Sequence, residues 1–131
     1  MLKVSRFKIK LEKLLINWLN NMTPISKERW FTLSLAEQLG NIGSEVGRAA
    51  KWQGRDEASF WGATTRALEL FDITQMDRRW SNRRSELDRV RESFADAVLG
   101  GREYQSKLSD LEKYFMLFAL YANAKKAVLD V

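Results

Sequence analysis

Four arginines and one tryptophan lie close together in the second half of the chain, and their side chains are suited to binding a polyanion. They are Arg78, Arg79, Trp80, Arg83 and Arg84. A guanidinium is a planar fork of donors that matches a phosphate group, and an indole ring can stack on a nucleic-acid base. The grouping therefore predicts phosphate contacts by the four arginines and base stacking by Trp80.

A local interpretation of the same segment is also open. Acidic residues stand three positions from several of its arginines, and such pairs stabilise a helix without any ligand. The pairs are Arg83 with Glu86, Asp88 with Arg91, and Arg89 with Glu92. In this interpretation Trp80 caps one end of the fold, although none of these acids serves Arg78 or Arg79.

A second basic group lies at the start of the chain. Helical spacing places four basic side chains on one face, beside an apolar stripe. The basic residues are Lys3, Arg6, Lys10 and Lys13, and the stripe is Val4, Phe7, Leu11, Leu14, Leu15, Trp18 and Met22. Such a helix can hold phosphates, lie on an anionic membrane or dock into a partner's groove. It can equally pack on its own domain with the basic face in solvent.

The net charge of +5 is concentrated in these two segments. Residues 1–22 hold five basic and one acidic side chain, and residues 77–91 hold six arginines and three acids. The rest of the chain is slightly acidic. This distribution favours two local contacts with a polyanion over a uniformly basic surface.

Composition excludes several classes of enzyme and metal protein. The chain has no Cys and no His, which removes thiolate nucleophiles, histidine-dependent triads and the usual zinc ligands. It has no glycine-rich phosphate loop. Four carboxylates could meet between two helices as metal ligands, but surface salt bridges are the favoured role for Glu37, Glu45, Glu69 and Asp72. We therefore predict a protein without catalytic activity, cofactor or metal.

Long helices must position these groups, because Ala, Leu, Glu, Lys and Arg supply 61 of the 131 residues whereas Val, Ile and Thr supply 16. The predicted helices cover residues 1–22, 26–52, 57–75, 82–99 and 109–128, with a loop over 77–82. Asp56 is the predicted N-cap of the third helix, Gly100-Gly101 ends the fourth, and Ser109 with Glu112 forms a capping box for the fifth. The predicted fold class is all-α. A single domain over residues 1–131 contains an antiparallel four-helix bundle over 24–128 and an additional N-terminal helix over 1–22.

The second predicted helix carries a row of small residues on one face. The row is Ala36, Gly40, Gly43, Gly47 and Ala50. A glycine inside a helix costs about 1 kcal/mol relative to Ala, and the close approach of another backbone can offset that cost. The regular spacing favours close packing over a helix broken near Gly40.

Membrane and secretory segments are not predicted. No apolar run reaches the roughly 18–20 residues of a spanning helix, and basic residues interrupt the apolar start of the chain. We therefore place the protein in the cytoplasm.

The most apolar segment, residues 114–122, is hydrophobic almost all round its helix, so its surplus surface should face the N-terminal helix or another subunit.

Two phrases of the sequence resemble a group of small prokaryotic helical proteins. They run from Ala36 to Val46 (AEQLGNIGSEV) and from Arg66 to Asp72 (RALELFD). Size, basic charge and helix order over residues 24–128 are similar to a wider four-helix-bundle group. That group includes ribosomal-RNA intervening-sequence proteins and the accessory variability proteins of diversity-generating retroelements. The resemblance implies a ring-like homo-oligomer that binds RNA or DNA beside a reverse transcriptase. The Ser-Ile-Pro-Ser-Asn motif of the intervening-sequence branch is absent, so no functional residue is transferred.

These observations predict a non-catalytic accessory protein that binds RNA or DNA through its two basic segments, as a homo-oligomer. The alternative is a protein–protein adaptor whose N-terminal helix docks into a partner's groove without nucleic-acid contact. In the alternative, Phe7, Leu11, Leu14 and Trp18 enter the groove and the lysines stay at its rim.

Overall fold

The computed structural model describes residues 26–129, and the regular structure in that range is entirely helical. Five α-helices follow one another, with a short 3-10 helix after the third. Their bounds are α1 Lys27–Trp30, α2 Leu35–Trp52, α3 Glu57–Gln75, the 3-10 helix Arg78–Arg83, α4 Arg84–Val98 and α5 Leu108–Leu129. The all-α class predicted from composition is confirmed. The predicted helix over residues 1–22 lies outside the described residues.

The single helix predicted over residues 26–52 is wrong, because the chain forms two helices there. The short α1 ends at Trp30, and α2 begins only after Ser34. The Ser34 side chain accepts from the Glu37 N–H while the Glu37 carboxylate accepts from the Ser34 N–H, which is a complete capping box. This reciprocal pair fixes the start of α2 and separates it from α1.

The third helix matches its predicted bounds, but the predicted loop after it is helical. The Asp56 side chain accepts from the Ser59 N–H and caps α3, as predicted. After α3, the Asp77 side chain accepts from the Arg79 N–H and starts the 3-10 helix. The predicted loop is wrong because the Asp77 carboxylate satisfies a backbone N–H at the start of this segment and so favours a helical turn.

The connection between α4 and α5 is organised by a buried carboxylate. Asp96 accepts hydrogen bonds from the backbone N–H groups of Glu103, Tyr104 and Ser106. Burial raises the pKa of Asp96, but these backbone donors outweigh burial and hold the pKa below its ordinary value. The predicted stop at Gly100-Gly101 is confirmed, since α4 ends at Val98 and both glycines have positive φ.

The predicted capping box at the start of α5 is wrong. The helix already begins at Leu108, so Ser109 is its second residue. The Lys107 carbonyl accepts from the N–H of Leu111, which starts helical hydrogen bonding before Ser109 could cap it. The Leu108 side chain is buried and anchors this earlier start.

Three phenylalanines join the helices at the centre of the core. Phe71 of α3, Phe94 of α4 and Phe115 of α5 are fully buried. The ring centroid of Phe71 lies 6.0 Å from that of Phe94 and 5.9 Å from that of Phe115. Ile42 and Val46 contribute the apolar side of α2 to the same core. These contacts hold the helices that position the surface features described below.

The row of small residues on α2 is where α5 approaches most closely, and we call this the glycine contact. It comprises Gly40, Gly43 and Gly47 against α5. A Cβ added at Gly40 would lie 3.2 Å from the Cα of Ala119, and one added at Gly43 would collide with the Cβ of Phe115. The predicted close packing is confirmed, and α2 continues unbroken through Gly40.

The same contact gives the direction of the two helices. Gly40 faces Ala119 whereas Gly47 faces Glu112, so residue numbers rise along α2 as they fall along α5. The helices α2 and α5 are therefore antiparallel.

Every helix within residues 26–129 is too short or too polar to cross a bilayer.

Candidate nucleic-acid interface

The arginines predicted to bind phosphate lie at one corner of the fold, which we call the arginine corner. It consists of the 3-10 helix and the first half of α4, residues 78–91. The corner rests on the segment that leads into α2, because Arg79 Nη2 donates to the Leu33 carbonyl at 2.7 Å. It also follows directly after α3, whose last residue is Gln75. The start of α2, the end of α3 and the start of α4 therefore meet at this corner.

Arg79 is bound by the protein itself. Its guanidinium forms an ion pair with Asp77, with 2.7 Å between Nη2 and Oδ2, and its Nε donates to the same carboxylate at 3.0 Å. Because Asp77 is buried and the guanidinium is charged, this bidentate contact is a strong one. Arg79 thus has the acidic partner that the sequence had not indicated for it.

The pKa of the Asp77 carboxyl is held below its ordinary value. The largest cause is the hydrogen bond from Arg79, which outweighs the opposing effect of burial, and a hydrogen bond from Gln38 adds to the lowering. The same contact raises the pKa of Arg79. Both side chains are therefore charged in the folded protein at neutral pH.

Gln38 of α2 connects the corner to the rest of the fold. Its side chain is 0% exposed, and its Nε2 donates to the Trp30 carbonyl at 2.9 Å and to Asp77 Oδ2 at 3.2 Å. Its Oε1 accepts from the Trp80 indole N–H at 2.8 Å. We call these four residues with Arg79 the Gln38 network. A buried amide with all these partners satisfied is a stabilising arrangement.

Trp80 is held in place on two sides. Its indole N–H is used by Gln38, and the Arg79 guanidinium lies over its ring at 4.4 Å from the centroid. The ring is half-buried against the core. The geometry fits the capping role that the local interpretation gave to Trp80, whereas stacking on a base stays a prediction.

Other arginines of the corner form exposed ion pairs. Arg83 Nη1 lies 3.6 Å from Glu86 Oε2, which confirms one predicted pair. Arg91 does not pair with Asp88 as predicted, because its Nε lies 3.0 Å from Asp72 Oδ1 on α3. Asp88 instead accepts a hydrogen bond from Gln75.

Three arginines of the corner have no acidic partner among residues 26–129. They are Arg78, Arg84 and Arg89, and all three are exposed. The predicted pair of Arg89 with Glu92 is therefore wrong. Arg84 borders a shallow surface pocket together with Asp72, Gln75 and Asp88. Both acids in that pocket are already engaged by other side chains, so they do not neutralise Arg84 by direct contact.

The second predicted group, Lys3, Arg6, Lys10 and Lys13, lies outside the described residues. The structure therefore brings together the predicted residues of the corner, Arg78, Arg79, Trp80, Arg83 and Arg84, and divides them between two environments. Arg79 and Trp80 belong to the Gln38 network. The other three arginines point their charge toward solvent or an exposed neighbour.

Three of the four carboxylates considered as metal ligands form ion pairs instead. Glu37 pairs with Lys126 at 3.2 Å, Glu45 pairs with Arg48 at 2.8 Å, and Asp72 pairs with Arg91. The backbone N–H of Ser34 is the main cause that lowers the pKa of Glu37. In the part of the chain that the structure describes, no three acidic side chains lie together as a metal site requires.

Gln38 and Asp77 are the important residues that sequence reasoning missed. Asp77 stands one residue before the Arg-Arg-Trp sequence, which is the position of a cap, and this signal was present in the sequence. Gln38 stands in a helix among apolar positions, and nothing local marks it as a partner of residues about 40 positions away.

Comparisons of this chain with protein-family models, with curated proteins and with solved structures find no match.

Proposed function

We propose that this protein is a non-catalytic accessory protein that binds the phosphate backbone of RNA or DNA at the arginine corner. The observation that carries the proposal is the set of three exposed arginines without an acidic partner in the described range. Arg78, Arg84 and Arg89 lie within 12 residues of one another along the 3-10 helix and α4. Guanidinium groups without a paired acid, concentrated in one short segment, attract a polyanion more strongly than they attract single anions.

The corner divides its residues between support and contact. Arg79 and Trp80 fix the 3-10 helix through the Gln38 network, while Arg78, Arg84 and Arg89 contact phosphates. Arg83 joins them when a phosphate competes with Glu86, because the pair is exposed and its 3.6 Å separation is long for an ion pair. A rigid support holds the contacting arginines in place and reduces the entropy lost on binding.

Binding of this kind recognises the backbone and not the bases. Phosphate contacts contribute affinity without sequence information, so the protein binds different sequences with similar affinity and loses affinity steeply as salt rises. In a homo-oligomer the corner is repeated, and several weak contacts act together on one polymer. The basic residues Lys3, Arg6, Lys10 and Lys13 add to the same polyanion contact.

The arrangement that presents these surfaces is an antiparallel four-helix bundle of α2 to α5. The antiparallel contact of α2 with α5 supports it, and so do cross-contacts such as Arg91 with Asp72, which join the middle of α4 to the end of α3. The resemblance to accessory proteins of diversity-generating retroelements extends the proposal to a place beside a reverse transcriptase.

A charge-matched pair of variants tests the proposal. The first changes Arg78, Arg84 and Arg89 to Gln, and the control changes Arg55, Arg102 and Lys107 to Gln. The control residues are exposed cations in the turns at the opposite end of the helices, so both variants lose the same net charge. Filter binding to structured RNA and to duplex DNA at about 50 mM salt measures the effect.

We expect the corner variant to bind at least about tenfold more weakly than the wild-type protein and the control to bind within about twofold of it. Equal losses in both variants would show that only net charge matters and would contradict the assignment. If the wild-type protein binds neither polymer, the nucleic-acid proposal is wrong and the adaptor alternative takes its place.

A further inference from the structure

The middle of α5 carries an apolar face that nothing within residues 26–129 covers, and we call it the α5 face. Four large side chains form it, and they are 52%, 66%, 58% and 63% exposed in the order Met116, Leu117, Leu120 and Tyr121. They follow one another at helical spacing on the side of α5 opposite Phe115, which is buried against α2. Large apolar side chains grouped in this way mark a contact surface.

Charged side chains lie at both ends of the α5 face. Asp110 precedes it by about two turns and Lys125 follows it by about one turn. Both side chains are exposed, and neither has an ion-pair partner within the described residues. Asp110, Tyr121 and Lys125 share one edge of α5, because their spacing returns each to nearly the same side of the helix. This edge therefore carries a carboxylate at one end of the face and an ammonium group at the other.

A parallel pair of α5 faces would bring like charges together. Two parallel copies related by a two-fold axis place each residue beside its own counterpart. Lys113, on the centre line of the face, would then meet Lys113 of the other copy, and Asp110 would meet Asp110. Because like charges set against each other weaken an interface, the α5 face does not fit a parallel partner of its own kind.

An antiparallel pair brings opposite charges together. With the two-fold axis between residues 118 and 119, Leu117 of one copy meets Leu120 of the other. Asp110 then lies within about 3 Å of Lys125 of the partner copy along the helix direction. An axis of this kind keeps the same edge of both helices on the same side, so the two residues are also on one side of the contact. Symmetry forms the pair twice.

The area of the α5 face suits a weak dimer. Its four apolar side chains present on the order of 450 Å², and the flanking residues raise the contribution of each copy to about 500–600 Å². The total of about 1,000–1,200 Å² lies at the low end of specific interfaces. We therefore expect a dissociation constant on the order of 10 µM.

We propose that two copies of this protein associate through their α5 faces as an antiparallel two-fold dimer. Leu117 and Leu120 of both copies form the apolar centre of the contact. Asp110 and Lys125 form two ion pairs at its rim and select the antiparallel direction. The contact uses no residue of the arginine corner, so it does not depend on nucleic-acid binding.

The dimer turns both arginine corners to the same side. The Tyr114 hydroxyl donates to Glu86 Oε1 of the corner at 3.4 Å, and Tyr114 lies on the same edge of α5 as Asp110. Because the two-fold axis keeps this edge on one side in both copies, the two corners lie on that side as well. They can then contact one polymer together, a consequence that rests on the proposed function.

Sedimentation of the full chain without nucleic acid, from about 1 to 300 µM, tests the contact. The wild-type protein should change from monomer to dimer over this range. Leu117→Glu combined with Leu120→Glu should raise the dissociation constant at least about thirtyfold, because it buries four carboxylates in the dimer. The control combines Met76→Glu with Tyr104→Glu, which changes two apolar residues of similar exposure, 55% and 59%, outside α5. It should stay within about twofold of the wild type, and circular dichroism checks that both variants are equally helical.

Two results of the sedimentation overturn the proposal. A wild-type protein that is monomeric at every concentration would assign the α5 face to another segment of the chain or to a different partner. Association that the Leu117 and Leu120 changes leave unaltered would place the contact on another surface.

Single cysteines measure the direction of the contact, since the chain has none of its own. Lys113→Cys and Ala124→Cys are oxidised separately and as an equal mixture. In the antiparallel dimer residue 113 lies opposite residue 124 of the partner copy, whereas the two copies of either position are about 16 Å apart along the helices, too far for a disulfide. We expect linked dimers in the mixture only. Linkage of each variant with itself, or linkage in the mixture no faster than between Arg55→Cys and Ala124→Cys, would overturn the antiparallel arrangement.

Reversed charges test the ion pairs at the rim. Asp110→Lys places two lysines together at both ends of the contact, so the dissociation constant should rise at least about fivefold. Adding Lys125→Asp should return it to within about twofold of the wild-type value. A double variant that associates no better than Asp110→Lys alone would contradict the pairing. None of these measurements involves nucleic acid, so failure of the dimer and failure of the proposed function are distinguishable.

Discussion

The glycine contact and the arginine corner both stood out in the sequence, but the structure treats them differently. At the glycine contact, one property of the residue decides the outcome, because only a missing side chain lets α5 come so near to α2. At the arginine corner, the same residue type serves two purposes, since Arg79 is bound by Asp77 and by the distant Leu33 carbonyl while Arg84 has no ion-pair partner within the described residues. The comparison shows that the spacing of residues in the sequence predicts a contact where only the size of the side chain matters. Spacing does not assign the roles of charged residues whose partners come from distant parts of the chain.

The largest effect should come from removing the centre of the Gln38 network. Gln38→Ala leaves the half-buried Trp80 N–H without a partner, removes one of the two donors to the Trp30 carbonyl and opens a cavity at a fully buried position. An unsatisfied buried group alone costs about 1–3 kcal/mol. We expect a loss of about 3 kcal/mol in the free energy of unfolding, measured with urea.

The control for this variant is Gln53→Ala. Gln53 is exposed and makes one hydrogen bond of 3.3 Å, to the Ala97 carbonyl, so its loss should stay within about 0.5 kcal/mol. Equal losses for both variants would show that the network contributes no more than a surface contact.

A smaller loss is expected at the glycine contact. Gly43→Ala places a methyl group against the Cβ of Phe115, and overpacking of this kind costs about 1–3 kcal/mol even though alanine favours the helix. Gly47→Ala is the matched control, because its Cβ would lie 3.4 Å from the end of the Glu112 side chain, an ordinary contact. Thermal unfolding should show a lower midpoint for Gly43→Ala and an unchanged or higher midpoint for Gly47→Ala. Two equal shifts would contradict the close approach.

The lowered pKa values of two carboxyl groups predict that the stability of the fold depends on pH. The folded pKa values of Asp77 and Asp96 lie below their ordinary value of 3.8, so each stabilises the fold above that pH and loses its contribution as the pH falls through the lowered value. Urea unfolding between pH 6 and pH 2.5 should show stability falling below about pH 4. In Asp77→Asn the fall should be shallower, and stability at pH 6 should be lower than in the wild-type protein. An identical acid profile would show that Asp77 makes no charge-dependent contribution.

Much of the fold follows from local patterns in the sequence. The bounds of α3, the Asp56 cap and the stop at Gly100-Gly101 each depend on residues within one turn of the feature, and all were predictable. The break between α1 and α2 was equally local, since Ser34 and Glu37 form a capping box that can be recognised three residues apart.

The candidate site was less predictable because its decisive contacts are distant in sequence. Arg79 binds the carbonyl of Leu33, and Trp80 binds Gln38, in each case across about 40 residues. A single sequence identifies the arginines as a group, but it does not show that the Leu33 carbonyl and the Gln38 side chain, which lie on another element, fix Arg79 and Trp80. The predicted cluster was therefore found as a whole, while its division into supporting and contacting residues required the three-dimensional fold.

The division of roles at the arginine corner is tested most directly by the salt dependence of binding in two single variants. Affinity for the more tightly bound of structured RNA and duplex DNA is measured from about 50 to 200 mM salt, at a temperature where both variants are folded. Arg84→Gln should reduce the slope of log affinity against log salt by about 0.7–0.9, the value for one phosphate contact. Arg79→Gln should lower stability and leave the slope unchanged. A reduced slope for Arg79→Gln together with an unchanged slope for Arg84→Gln would contradict the account.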